Sequence, residues 1–435
     1  MKVLKWVLLL AVAAAAFLVG GWLLRRGVTV ARGAAPASAD AAANNRLFSS
    51  VIQTVRTYAV DSLDEASIYR LATSGMLTEL GDPYAGLVND GDTTETKSRI
   101  GPAPVQGAYL DWLDELIVVV AVVPGSPAAV AGLRSGDAVL RVDRTVIGAQ
   151  RSDQVARMID GAPGSTVKLR LGREHASAPL VVSLVRGPVP PLSEPVFSVE
   201  SGIGYLHISR LDDGAVVAAV DAAAKVAALV GRRGLMLDLR GAASGSIEAA
   251  VKIADIFLAE GQTIVTLRGR SGKDSSTIRD RAPATGQDYP MAVLTDRGTG
   301  GPAEVVAGAL QDHDRAVLVG EETFGRGVRY SFFPLGNGTS LRLTTAVWVT
   351  PSGRVIQRLP LPVRPAAAPS DSAPPRPKFK TDLGRVVLGG GGIMPDREIP
   401  AGTEQGGADR VLAAARELLA RATSRQSLMA SLRGK

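Results

Sequence analysis

Residues 304–328 read EVVAGALQDHDRAVLVGEETFGRGV, and the change of period within them decides the fold class. Residues 303–310 carry apolar side chains at helical spacing, and residues 316–319 form a short apolar run of buried-strand length. The same alternation recurs over 202–362. Strands are expected at 204–208, 234–239, 291–294 and 316–319, and helices at 215–229, 247–258 and 303–310. Strand and helix in turn argue for an α/β core.

Upstream, residues 104–187 change character. Short strands are expected at 116–123, 138–142 and 167–171, with a turn at Pro124-Gly125-Ser126-Pro127, a single helical turn at 128–132 and a helix at 153–159. Further upstream, Phe48, Val51, Ile52 and Val55 fall at helical spacing, and Ile68, Leu71, Met76, Leu77 and Leu80 continue the pattern until Asp82-Pro83 ends it. Downstream, residues 363–378 are rich in Pro and Ala and are expected to be a disordered insertion. Val411, Leu412, Ala415, Leu418 and Leu419 mark a last amphipathic helix.

The chain has 435 residues, 46% of them apolar and 21% charged, the composition of an ordinary globular protein with room for two or three domains. Its net charge of +7 is spread as Arg along the whole length. No basic block with interleaved aromatics occurs, so no nucleic-acid partner is expected. There is no cysteine, and His175, His207 and His313 are widely scattered, so neither a metal site nor a cofactor is expected.

Residues 6–24 form one apolar run between Lys2 and Lys5 on one side and Arg25 and Arg26 on the other. About 20 such residues cross a bilayer, and a single transmembrane anchor is expected within 1–26. The rival is a signal peptide cut near Ala37-Ser38-Ala39, against which Arg25, Arg26 and Arg32 weigh, since charges between the apolar run and the cut oppose processing. A linker at 27–43 would carry the bulk of the chain away from the inner (cytoplasmic) membrane, facing the periplasm or the cell exterior.

Residues 125–143, GSPAAVAGLRSGDAVLRVD, resemble the signature of bacterial PDZ domains. Such a β-rich module adds an extended peptide to a sheet edge and holds its terminal carboxylate on backbone N–H groups. The resemblance implies that Gly107, Ala108, Tyr109 and Leu110 form the carboxylate loop and its following strand, and that Val155 and Ile159 line the groove from a helix. The alternative is a PDZ fold whose groove is filled internally.

Four further stretches resemble the carboxyl-terminal processing peptidases, or tail-specific proteases: GMLTELGDPYAGLV at 75–88, RGLMLDLRGAASGSIEAAVKIADIFL at 233–258, the 304–328 run continued by LTTAVWVTPSGRVIQ at 343–357, and FKTDLGRVVLGGGGIMPD at 379–396. They follow one another in the family's order. The resemblance implies an α/β core of the tail-specific protease (ClpP/crotonase-like) type with an inserted PDZ domain. The expected layout is a helical segment at 44–95, the PDZ domain at 96–187, the peptidase-like core at 188–362 and 379–401, and a C-terminal helix within 402–435.

The family resemblance implies a Ser–Lys dyad, in which a desolvated Lys takes the proton from the attacking Ser. Here the departures begin. The family's Ser-Ala-Ser-Ala-Ser-Glu run corresponds to Thr299-Gly300-Gly301-Pro302-Ala303-Glu304, which puts Gly301 at the nucleophile. The general-base Lys corresponds to Arg326, and the Gln that follows it to Tyr330. A guanidinium with a pKa near 13 is neutral in about one molecule in a million at pH 7. One oxyanion donor would be the N–H of Pro302, which has none. The other would come from the turn Gly241-Ala242-Ala243-Ser244-Gly245, where only Gly245 matches the family. Asp312 matches a family position near the site and is expected to pair at a helix end.

No serine lies between Ser276 and Ser331 and no lysine between Lys273 and Lys378, so no small shift of register restores either partner. Thr299 is the weak substitute nucleophile, with Ser244 and Ser246 behind it. Asp238 and Arg240 are expected to make a structural pair, and His313 to lie apart from the chemistry. The expectation is therefore a pseudoprotease that binds peptide or protein C-termini through its PDZ domain, as a homo-oligomer or alongside an active relative. The alternative is an active serine-type endopeptidase, cleaving near substrate C-termini with a relocated nucleophile.

Overall fold

A computed structural model describes residues 39–432 apart from 62, 90–103, 114–115, 149–151, 175, 230–232, 271, 273–274, 282–287, 337, 359–375 and 401–408. The expected anchor or signal at 1–26, most of the linker and most of the 363–378 insertion lie outside the described residues. Among the described residues no helix is long and apolar enough to cross a membrane.

The chain divides into two units, residues 1–73 and 74–435. In the first, Ala39–Tyr58 is a helix and a second helix, Glu65–Glu79, begins. Asp64 caps the second by accepting from the Ser67 N–H at 2.7 Å.

The larger unit opens with strand β1 (Gly86–Asn89) and continues into a β-rich sheet: β2 (Ala108–Leu113), β3 (Leu116–Val122), β4 (Ala138–Val142), β5 (Thr145–Val146), β6 (Thr166–Gly172) and β7 (Leu180–Val185). The order is β2-β3-β4-β6-β7, with β5 on β4, so β2 is an edge. The helix Pro127–Val130 starts on Ser126, whose side chain accepts from the Ala129 N–H, and the helix Ser152–Ile159 follows β5. Alternation along β6 buries Val167, Leu169 and Leu171, which pack with Ile117, Val119, Val139, Val155 and Ile159.

The remaining strands are β8 (Val196–Glu200), β9 (Ile203–His207), β10 (Gly234–Asp238), β11 (Thr263–Gly269), β12 (Ser276–Arg279), β13 (Met291–Thr295), β14 (Val317–Gly320), β15 (Val328–Gly336), β16 (Thr339–Val349), β17 (Lys378–Lys380), β18 (Val386–Leu388) and β19 (Arg397–Glu398). Six of them form a sheet of order β19-β14-β13-β10-β9-β8, parallel except for β8. Helices cover both faces, as a parallel sheet requires. Leu235, Leu237 and Val293 pack with the helices Asp213–Ala228, Ile247–Phe257 and Pro302–Asp312, while Met236, Ala292 and Leu294 pack with the C-terminal helices Arg410–Arg421 and Arg425–Ala430.

A second, antiparallel sheet has the order β1-β16-β11-β12 with β15 also on β16. Its strands were not among those expected. Its first strand, Gly86–Asn89, falls inside the segment read as helical and pairs with Thr339–Val349, so that segment ends as part of the core. Lys378, read as insertion, begins β17.

Candidate active site

The site is assembled where the helix Pro302–Asp312 begins. Pro302 suits its first turn, where an N–H would have no helical partner. Gly301 precedes it at φ 63°, in the left-handed region. The Glu304 carboxylate is the hub. It accepts from the Gly301 N–H at 2.8 Å, the Gly325 N–H at 2.7 Å and the Arg326 N–H at 2.8 Å, and from the Thr323 hydroxyl. One buried side chain thus welds the helix start to the turn 323–327. Burial pushes the Glu304 carboxyl up to about 7, against the pull of these four donors.

The same weld sets Arg326 against Gly301. A Cβ on Gly301 would lie 3.2 Å from both Nε and Nη2 of Arg326. Arg326 Nη1 donates to Asp111 Oδ2 at 2.8 Å, with both side chains 2% exposed. Its Nη2 donates to the Ala243 carbonyl, and its Nε is buried without a partner among the described residues. Burial works against this charge, but the adjacent Asp111 carboxylate outweighs it and the Arg326 pKa stands above its ordinary value. The guanidinium is therefore a fixed cation and accepts no proton.

Pro302 lies beside Gly301 with no N–H to offer. The turn 241–245 presents the Ala243 carbonyl to Arg326, while the Gly241 N–H donates to Asp296 Oδ1 at 2.9 Å. Gly245, at φ 141°, is held by packing: a Cβ there would lie 2.3 Å from the Leu211 carbonyl oxygen. The fully buried Thr299 hydroxyl is 3.0 Å from both the Leu239 carbonyl and Asp296 Oδ1, and accepts from the Asp296 N–H. That is the wiring of a tight turn. Ser244 lies 3.3 Å from the Tyr109 hydroxyl, and Ser246 caps the helix Ile247–Phe257.

Tyr330 is brought elsewhere, edge-on to Phe332 on β15 and under Arg342. Asp312 pairs with buried Arg354 and accepts from the Ser352 N–H. His313 bonds to Asp382 and to the Thr263 carbonyl, both at 2.7 Å. Asp238 holds Arg240, whose Nη1 also pairs with Asp409 at the start of the Arg410–Arg421 helix.

Of the residues assigned to a peptide groove, Ala108, Leu110, Val155 and Ile159 are brought together, but in a packed apolar cluster where each is at most 1% exposed. Gly107 sits against Ser126 so closely that a Cβ would lie 2.1 Å from the Ser126 side chain. Tyr109 points the other way, to the interface with the core, among Val120, Ala243 and Phe324. It does not line the groove, because side chains alternate along the strand.

Two residues at the site were missed in the sequence. Asp111 carried a signal, a carboxylate between Leu110 and Trp112 in a strand otherwise reading as buried. Tyr84 carried none; its buried hydroxyl sits beside Asp111, Arg326 and Gln357 without a well-formed hydrogen bond to any of them. Among the described residues no cluster of His, Asp and Glu is placed to hold a metal ion.

Residues 202–365 match the model of peptidase family S41, and residues 118–173 that of the PDZ domain. The chain is 31% identical over 314 residues to a carboxy-terminal-processing protease of Bartonella bacilliformis, covering 71% of this chain and 72% of the relative. It is 30% identical to a probable CtpA-like serine protease of Staphylococcus haemolyticus, covering 66% of this chain and 57% of that one. It is 27% identical to the carboxy-terminal processing protease CtpB of Bacillus subtilis, covering 69% of this chain and 62% of that one. It thus spans less than two thirds of the latter two. The solved photosystem II D1 C-terminal processing protease shares the fold, with a TM-score of 0.62 at 22% identity over 80% of this chain and 86% of that one. The chain belongs to peptidase family S41, the carboxy-terminal-processing proteases, and carries that family's PDZ domain.

Proposed function

We propose that this chain is a proteolytically inactive member of its family, anchored by its N-terminal segment on the outer side of the inner (cytoplasmic) membrane, which acts by holding peptide or protein C-termini on its PDZ module. One observation carries the reading. The position matched to the nucleophile is Gly301, and the space beside it faces a buried guanidinium already paired with Asp111. Acyl transfer needs an attacking oxygen, a proton acceptor and donors for the developing oxyanion. Here the first is absent, the second is a permanent cation, and Pro302 supplies no N–H for the third.

Retention of the PDZ fold and of its sheet edge supports a binding role. The groove-side residues are packed against one another, so a peptide enters only as the helix Ser152–Ile159 yields from β2. The test is incubation of the full chain in detergent with unfolded polypeptides ending in apolar residues, followed by mass spectrometry and a binding measurement. Binding without cleavage supports the reading. Cleavage abolished by Thr299→Ala overturns it and restores a relocated nucleophile.

A further inference from the structure

We infer that this PDZ module is occupied by its own chain, with Val105 standing where the last residue of a docked peptide would lie and Gln106 holding the groove shut. The inference rests on the reading of the module as a site for C-termini and adds its regulation.

Strand β2 is the edge of its sheet, so its outward N–H and C=O groups are those an added strand would use. At Ala108 both are taken. The Ala108 N–H donates to the Val105 carbonyl at 2.8 Å, and the Val105 N–H donates to the Ala108 carbonyl at 2.9 Å. This is an antiparallel pair, the pattern an incoming peptide would make at that point. The half-buried Val105 side chain packs against the cluster that contains Ala108, Leu110, Val155 and Ile159, as the terminal side chain of a ligand would.

The connection is a two-residue turn with Gln106 at φ 50° and Gly107 at φ 90°. Glycine takes that conformation freely; glutamine does so at a cost of about 1 kcal/mol. The Gln106 side chain offsets the cost with two bonds. Its Nε2 donates to Asp160 Oδ1 at 3.1 Å, just past the end of the helix Ser152–Ile159, and its Oε1 accepts from the Gly187 N–H at 2.9 Å. Its carbonyl accepts from the Ala128 N–H at 2.9 Å. Gln106 is 8% exposed. One side chain therefore ties the helix end and the exit of the sheet to the carboxylate loop, and fixes the helix against β2. An incoming C-terminus must displace Val105 and separate Gln106 from Asp160, so its apparent affinity is reduced by the fraction of molecules that are open.

The experiment has two arms on the full chain in detergent micelles. Hydrogen exchange read by mass spectrometry over residues 105–110, without peptide, reports the Ala108 and Val105 amides. A fluorescein-labelled decapeptide with a free apolar C-terminus, and its C-terminally amidated twin, report binding to wild type, Gln106→Ala and Asp160→Ala. Slow exchange at Ala108 is expected, with peptide affinity rising ~10-fold in Gln106→Ala and a few-fold in Asp160→Ala, as expected when the open fraction grows, and the amidated twin is not held. Fast exchange at Ala108, or wild type binding as tightly as both variants, overturns the internal occupation. Slow exchange with no binding by any of the three chains supports the occupation and instead removes the capture of C-termini.

Discussion

Arg326 Nη1 lies 2.8 Å from Asp111 Oδ2, and this buried pair joins a strand of the PDZ domain to the turn that faces the start of the Pro302–Asp312 helix. The two residues are 215 apart in sequence. Arg326 is thus an ionic tie between two modules. Beside it, the Tyr109 and Ser244 hydroxyls meet at 3.3 Å, and Arg297 pairs with Glu174 at the solvent-exposed edge of the same contact.

Removing one partner of a buried pair leaves the other charge stranded. Asp111→Ala is expected to destabilise the chain by about 3–5 kcal/mol, while the double replacement Asp111→Leu with Arg326→Met recovers most of that loss. Denaturant midpoints of the three variants check this. A single replacement that costs nothing contradicts the burial of the pair.

The buried carboxyl of Glu304 makes stability depend on pH. Its folded pKa, about 7, lies above the unfolded value, 4.5, so the folded chain binds more protons between the two, and stability falls as pH rises through that window. Burial also raises Asp296 and Asp396, which act in the same sense. Denaturation midpoints are expected to be higher at pH 5.5 than at pH 8, with Glu304 contributing about 2 kcal/mol over that interval.

Gly245 is held as glycine by its packing. Gly245→Ala would force a Cβ to within 2.3 Å of the Leu211 carbonyl at φ 141°. A loss of at least ~2 kcal/mol is expected, measured by thermal or chemical denaturation.

On the proposed reading, restoring one catalytic part is not enough. Gly301→Ser alone is expected to show no turnover, because its side chain meets the Arg326 guanidinium at 3.2 Å and finds no base. Only Gly301→Ser combined with Arg326→Lys and Pro302→Ala supplies attacker, acceptor and donor together, and labelling by a fluorophosphonate is expected in that triple variant alone.

Much of the core was legible because local pattern and burial agree there. Residues 303–310 and 316–319 announced a helix and a strand, found as Pro302–Asp312 and Val317–Gly320. The antiparallel sheet built on Val328–Gly336 and Thr339–Val349 was not legible. Its strands are half exposed and carry bulges between Arg329 and Tyr330 and between Pro334 and Gly336, which break the two-residue period. The same limit applies to the site. Gly301 and Pro302 could be read from their own identity, whereas Asp111 acquires its role only by long-range folding. The direction of Tyr109, toward Ser244 and away from the groove, follows from strand register, which sequence spacing near the loop did not reveal.

Whether any hydroxyl of this chain is a nucleophile is decided by activity-based labelling of the unmodified full chain with a fluorophosphonate, with adducts mapped by mass spectrometry. No covalent adduct is expected on Thr299, Ser244, Ser246 or any other hydroxyl, under conditions that label an active relative to completion. A stoichiometric adduct on one residue, lost together with peptide hydrolysis when that residue is replaced by Ala, would contradict it.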